Sequence, residues 1–487
     1  MSYLKQLAGQ TAVYGLGVVI PRLLTYVLLT PFYTRIFARA EYGIITELYA
    51  YVVFLIVILT YGLETGYFRF SKEKETDKDV YKTSLISIVI SSLSFILIIF
   101  LFYKRIADVL GYESSSKYIL WIGIIVGLDA LTAIPFAKIR LQNKAMKYSL
   151  IRVIEVAVNL FFNWFFVLYC FNNYEEYDWI SKFYNPEFRI GYVLLSNMFA
   201  TIAKTILLSK EILFSDGQFQ YTILKKLLSY SFPLLIAGLA GTINEAIDRI
   251  LLKYMIQPPY LPMEQLGIYG ANLKLAVLMT LFIQMFRYAA EPFFFSKMNE
   301  GNAKEIYAEV MKYFIFAAMS IFLLVVLYID IFKLFIGVEF REAIAIVPII
   351  LLANLFMGIF YNLSVWYKLT NLTKFGAYLV ISGAAVTIVV NVIFIPKCGY
   401  MASAWGHFSA YLVMIILSYL FGRKYYKINY DLKRIFVYIF LAILLFYLFK
   451  NNSITNQLIL YGLKSLSLFL YLFIFILLER NLKVKRN

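Results

Sequence analysis

The chain reads YGLETGYF from Tyr61 to Phe68 and YAAEPFFF from Tyr288 to Phe295. The two strings start 227 residues apart (288 less 61) and match without a gap at Tyr, Glu and the closing Phe. The same shift sets Arg22 on Arg249, Pro31 on Pro258 and Tyr42-Gly43 on Tyr269-Gly270. At a shift of 228, RLQN from Arg140 meets KLTN from Lys368, and Asn163 meets Asn391. Any two apolar helices share Leu and Ile, so those matches carry little. Arg, Pro, Glu and Tyr-Gly falling in one frame mark an internal duplication. Duplicated bundles with polar residues inside the membrane are how many transporters build a central path.

Working outward, the chain has 487 residues, of which 62% are hydrophobic and 15% charged, with a mean hydropathy of +0.74. A soluble chain of this length carries far more charge. Continuous apolar runs of about 20 residues, each enough to span a bilayer as a helix, begin near Gln10, Gly43, Tyr81, Lys117, Lys147, Arg189, Leu228, Gly270, Met311, Ala343, Phe375, Ala402, Leu432 and Asn456. Because the runs are continuous rather than alternating, they read as helices and not as barrel strands. The expected fold is therefore all-α and polytopic, with 14 transmembrane helices. The first run shows no small-residue cleavage site and reads as a retained helix. Two six-helix bundles should be related by a pseudo-two-fold along the membrane normal, because an even number of helices brings both copies in from the same side. The expected divisions are an N-terminal lobe over 1–210, a linker over 211–226, a C-terminal lobe over 227–425, and an added helical hairpin with a basic tail over 426–487.

The formal net charge is +17. Sorted over alternate loops, most of the 46 Lys and Arg fall on one side, including Lys138, Arg140, Lys144, Lys147 and Arg152. The opposite loop at Glu175, Glu176 and Asp178 is acidic. This positive-inside pattern puts both termini in the cytoplasm, and the basic excess reports topology and anionic lipid contact rather than nucleic acid. No loop is long enough for a soluble catalytic domain, and no metal, phosphate-loop or serine–histidine motif occurs. The sequence thus reads as a non-enzyme without a cofactor. Cys170 and Cys398 fall in different bundles, so no disulfide between them is expected.

A charge inside the bilayer costs roughly 2.5–3.5 kcal/mol on insertion scales, so it faces a wet cavity or a partner. Arg22, Arg249, Lys274 and Arg287 are the candidate substrate-binding cations. Two guanidiniums in equivalent places could chelate a diphosphate through bidentate forks. Arg249 has an alternative in an internal ion pair with Glu245 or Asp248, and Lys274 in an interfacial position. Glu64 and Glu291 read either as interfacial acids pairing with the basic inner loops or as an inner gate. Asp129, Glu155, Glu245 and Asp248 complete the candidates for gating or ion coupling, with structural hydrogen bonding as the alternative. His407, the only histidine, reads as a packing residue, and Lys464 as a snorkelling one.

The opening QTAVYGLGVVIPRLLTYVLLTPFYTRIFARAEYGI, Gln10 to Ile44, resembles the start of the bacterial polysaccharide and O-antigen flippases of the multidrug/oligosaccharidyl-lipid/polysaccharide exporter superfamily. The resemblance implies two six-helix lobes around a central cavity. It implies flipping of an undecaprenyl-diphosphate-linked oligosaccharide from the cytoplasmic to the outer leaflet of the inner membrane by alternating access. Cationic cavity residues would hold the diphosphate, and Arg22 and Arg249 suit that role. Partners would be the lipid-linked substrate, membrane lipids and other polysaccharide-assembly proteins, with the chain a monomer. Coupling to Na+ or H+ stays open. A drug/cation antiporter of the same superfamily is the alternative; it would favour 12 helices and an acid-dominated cavity.

Overall fold

The apolar runs leave their backbone groups no partner in lipid, and a helix satisfies each of them internally. In the computed structural model they are helices. The structure describes residues 19–21, 23–71, 77–450 and 456–486, with side chains up to 479. Among these residues there is no strand. Thirteen helices among them are long and apolar enough to cross a membrane. They are α1 (Arg39–Phe70), α2 (Asp77–Leu110), α3 (Lys117–Leu141), α4 (Ala145–Asn173), α5 (Pro186–Leu207), α6 (Tyr221–Met255), α7 (Pro262–Lys297), α8 (Ala303–Leu327), α9 (Val338–Leu369), α10 (Lys374–Cys398), α11 (Tyr400–Tyr425), α12 (Leu432–Lys450) and α13 (Gln457–Glu479). These answer to the second to fourteenth runs. The first run lies partly outside the described residues, of which 23–36 are helical.

Two compact units emerge. The first takes the described residues up to Leu29 together with Ile44–Thr242, the second Thr30–Gly43 together with Ile243–Asn487. Close backbone approach explains why Thr30–Gly43 belongs to the second. A Cβ on Gly43 would stand 2.0 Å from the Met263 carbonyl oxygen, and one on Gly267 1.9 Å from that of Arg39. Only glycine permits such contact. The Gly337 N–H donates to Thr34 Oγ1 (3.0 Å), and Arg39 pairs with Glu342 (3.0 Å).

The duplication is visible inside each unit. Asn143, just past α3, has φ 55°, and Asn371, just past α9, has φ 58°. Both close a helix in the left-handed region that Asn tolerates best after Gly. These are the last residues of RLQN and KLTN. Buried Asn163 donates from Nδ2 to the Asn159 carbonyl (2.8 Å), and buried Asn391 to the Thr387 carbonyl (2.8 Å). Within YGLETGYF, Tyr61 (φ 32°) and Gly62 (φ 73°) break α1 before its last two turns. Ser231 of α6 donates to the freed Gly62 carbonyl at 3.2 Å.

The hairpin of α12 and α13 is pinned to α8 at both ends. Glu479 accepts from Lys312 Nζ (2.5 Å) and from the Tyr438 hydroxyl (2.8 Å), and Lys312 is only 4% exposed. Phe316 stacks on Tyr471 between the two ends. Near the other end Lys464 Nζ reaches Asp330 at 3.3 Å, and Tyr328 and Ser465 share a hydroxyl hydrogen bond of 2.6 Å. Lys464 is buried and paired rather than snorkelling, because the loop after α8 brings it an acid.

Candidate functional site

Charges inside apolar helices are placed by the partners that neighbouring helices present. In the first unit Asp129 on α3 and Glu155 on α4 converge on Lys204 of α5. Lys204 Nζ donates to Asp129 Oδ1 (2.5 Å) and Glu155 Oε1 (2.7 Å), with its side chain 3% exposed. Arg152, one turn before Glu155, donates to Glu155 Oε2 (2.9 Å) and lies 4.2 Å over the Phe136 ring. Two acids and two cations therefore cancel. Lys204 and Arg152 are partners that a reading of the loops misses: the acids announce a need for cations, but Lys204 sits at the end of an apolar run far along the chain from both.

Glu64, near the end of α1, pairs with Arg140 at the end of α3, and the Arg140 guanidinium lies 5.0 Å over Phe68. In the second unit Glu291 pairs with Lys368 at 2.7 Å. Glu64 matches Glu291 and Arg140 matches Lys368 in the repeat, so one ion pair occurs twice. Each acid meets a basic residue at the end of a neighbouring helix.

The second unit holds a buried polar triad. Asp248 on α6 is fully buried, and its Oδ2 accepts from the Tyr269 hydroxyl of α7 and lies 3.0 Å from His407 Nε2 of α11. Its Oδ1 is buried and has no hydrogen bond among the described residues. The lone histidine is thus bonded to an acid and is more than a packing residue. Arg249 follows at once, partly buried, and among the described residues its Nε has no acceptor. Glu245, one turn earlier, is exposed and does not pair with Arg249 among the described residues. It lies close enough to act electrostatically on Tyr361 and Tyr411. Lys274 begins a one-turn 3₁₀ segment within α7, partly buried. Arg287 is exposed, with its guanidinium 4.7 Å over the Tyr361 ring. Arg22 lies outside the described residues, so its expected partnership with Arg249 rests on the repeat alone.

A helical membrane chain built from two like units, each with a half-exposed ion pair at a repeat-related place, now stands beside known proteins. The sequence profile of polysaccharide biosynthesis proteins matches residues 7–298. The chain belongs to the polysaccharide biosynthesis protein family. No curated protein matches it. This family member is similar in fold to the lipid II flippase MurJ in its inward closed conformation, at 15% identity over 95% of this chain and 98% of that one, with a TM-score of 0.68. It is also similar to an inward-facing multidrug resistance MATE family transporter of the MOP superfamily, at 13% identity over 85% and 93% with a TM-score of 0.62. A MOP superfamily transporter from Pyrococcus furiosus, whose binding pocket is described as reversed in polarity, matches at 11% identity over 86% and 96% with a TM-score of 0.57. At such identities the likeness establishes the fold. The polysaccharide biosynthesis family member is accordingly a multi-pass helical membrane protein with the MOP transporter fold.

Proposed function

We propose that this protein carries an undecaprenyl-diphosphate-linked oligosaccharide from the cytoplasmic to the outer leaflet of a bacterial inner membrane, by alternating access, for surface polysaccharide assembly. One observation above all supports this reading. Arg249 and Arg287 stand within membrane helices without a carboxylate ion pair among the described residues, while Asp129, Glu155, Glu64 and Glu291 are each paired with a cation. A guanidinium not committed to a carboxylate ion pair is a binding group for phosphate. Arg22 enters the proposal as the repeat mate of Arg249, and both termini are cytoplasmic in it. The oligosaccharide stays in water while the prenyl chain stays in lipid.

Asp248 with His407 is the proposed coupling site for H+ or Na+. That same buried acid favours the second reading, a drug/cation antiporter. Deletion followed by extraction of lipid-linked oligosaccharide separates the two. The first reading expects an unpolymerised intermediate to accumulate with its glycan facing the cytoplasm. A normal intermediate pool together with altered drug sensitivity favours the antiporter.

A further inference from the structure

The duplication shows what the connection between the fifth and sixth helices of a unit needs. Asn163 in α4 and Asn391 in α10 occupy matching places in the repeat. In the second unit α10 ends at Cys398 and α11 starts at Tyr400, so one residue, Gly399 with φ 53°, makes the turn. In the first unit α4 ends at Asn173 and α5 starts at Pro186, which leaves residues 174–185 between them. The framework closes with a single glycine, so this longer segment is an addition particular to the first unit.

The addition has a core of its own. Ile180 is fully buried, and Tyr184 stacks on Tyr192 at 4.5 Å. The Tyr192 ring stacks in turn on Phe166 at 5.2 Å, and its hydroxyl accepts from the Asn185 N–H at 2.7 Å. Two large rings stay outside that core. Trp179 and Phe183 are each 49% exposed and lie side by side, centroids 5.8 Å apart and tilted by 36°. Around them the segment carries exposed Glu175, Glu176, Asp178 and Glu187 against Lys182 alone. An aromatic pair that anchors a chain in the bilayer interface works beside Lys and Arg, which anionic lipid attracts. Here the neighbours are acids, and such a surface repels anionic head groups.

We infer that Trp179 and Phe183 form a platform for an uncharged glycan. One face of a sugar ring presents C–H groups, which pack against the negative face of an aromatic ring. The hydroxyls at its rim donate to carboxylates, and Glu175, Glu176 and Asp178 offer acceptors beside the rings. The same acids exclude polyanionic sugars. The inference rests on the transport reading for the side of the membrane, since the acidic loop is the outer one there, and for a glycan arriving at that side.

The test uses the full chain in nanodiscs of phosphatidylcholine, with chitotetraose and cellotetraose as neutral probes and tetragalacturonate as the anionic one. Saturation-transfer NMR is expected to show at least one neutral sugar bound and the anionic one not. Trp179→Ala and Phe183→Ala, both at exposed positions, are each expected to weaken that binding about fivefold, the scale of one aromatic contact. In nanodiscs of brominated lipid, the fluorescence that Trp179→Phe removes is expected to be unquenched. Quenching by the brominated chains makes the pair a membrane anchor and overturns the inference. So does binding of neither neutral sugar, equal binding of tetragalacturonate, or unchanged affinity in both alanine variants. The glycan-intermediate experiment is separate: a normal intermediate pool with intact sugar binding defeats the transport reading and leaves the platform standing.

Discussion

Lys204 shows how a single side chain can hold three helices. It is 3% exposed and answers two carboxylates on two other helices. Removing one member of a buried ionic group strands the rest, at a cost of about 3–5 kcal/mol. Lys204→Met is expected to destabilise the protein on that scale, seen as a lower thermal midpoint in detergent. Adding Asp129→Asn should recover much of the loss, because Arg152 and Glu155 then remain as a balanced pair. The Asp248 triad predicts a different signature. Asp248→Asn should abolish ion-driven transport in proteoliposomes, and His407→Gln should slow it about tenfold, the loss of one hydrogen bond to a charged group, while substrate binding persists. Transport at the wild-type rate in both variants rules out this coupling site. The acids of both clusters were legible in the sequence, since carboxylates in apolar runs stand out. Their partners were not. Lys204, Tyr269 and His407 are chosen by packing between helices far apart in the chain, which spacing along one helix does not record.

At the scale of elements, the hairpin of α12 and α13 depends on two ionic anchors. Lys312 and Glu479 form the buried one, and Lys312→Met should release α13, read as faster proteolysis of the hairpin in the detergent-solubilised protein. Asp330 lies outside the spans. Partial burial pushes its carboxyl up, but hydrogen bonds from Lys333 and Lys464 outweigh this and hold it below its ordinary value of 3.8. A carboxyl depressed in the folded state stabilises above its unfolded value and loses that contribution as pH falls through the folded one. The anchor should therefore persist at neutral pH and fade only below about pH 4, and Asp330→Asn should remove it at all pH values, measured as hairpin proteolysis against pH. The helices themselves were nearly all legible, because a run of about 20 apolar residues has few other fates. Breaks within them were less so. The turn at Tyr61-Gly62 needed a partner, Ser231, that lies in another helix.

At the scale of the whole molecule, the duplication fixes what is structural and what is specialised. Glu64 with Arg140 and Glu291 with Lys368 are half-exposed pairs, and such pairs contribute about 0–1 kcal/mol. Glu291→Gln should leave the thermal midpoint nearly unchanged. If the pair is a gate, the same variant cuts surface polysaccharide output, and the swap Glu291→Lys with Lys368→Glu restores part of it. Output equal to wild type in Glu291→Gln leaves the pair as an interfacial anchor only. The repeat was legible because Arg, Glu, Pro and Tyr-Gly are rare enough in apolar helices to be seen.

The commitment of Thr30–Gly43 to the second unit has a practical outcome for anyone dividing the gene. A break introduced after residue 242 severs that stretch from the backbone at Met263 and Gly267 against which it lies without room for a Cβ. The upstream fragment, produced alone, would present a bare glycine-edged surface, and complementation between separately encoded fragments would have to rebuild this seam before anything else.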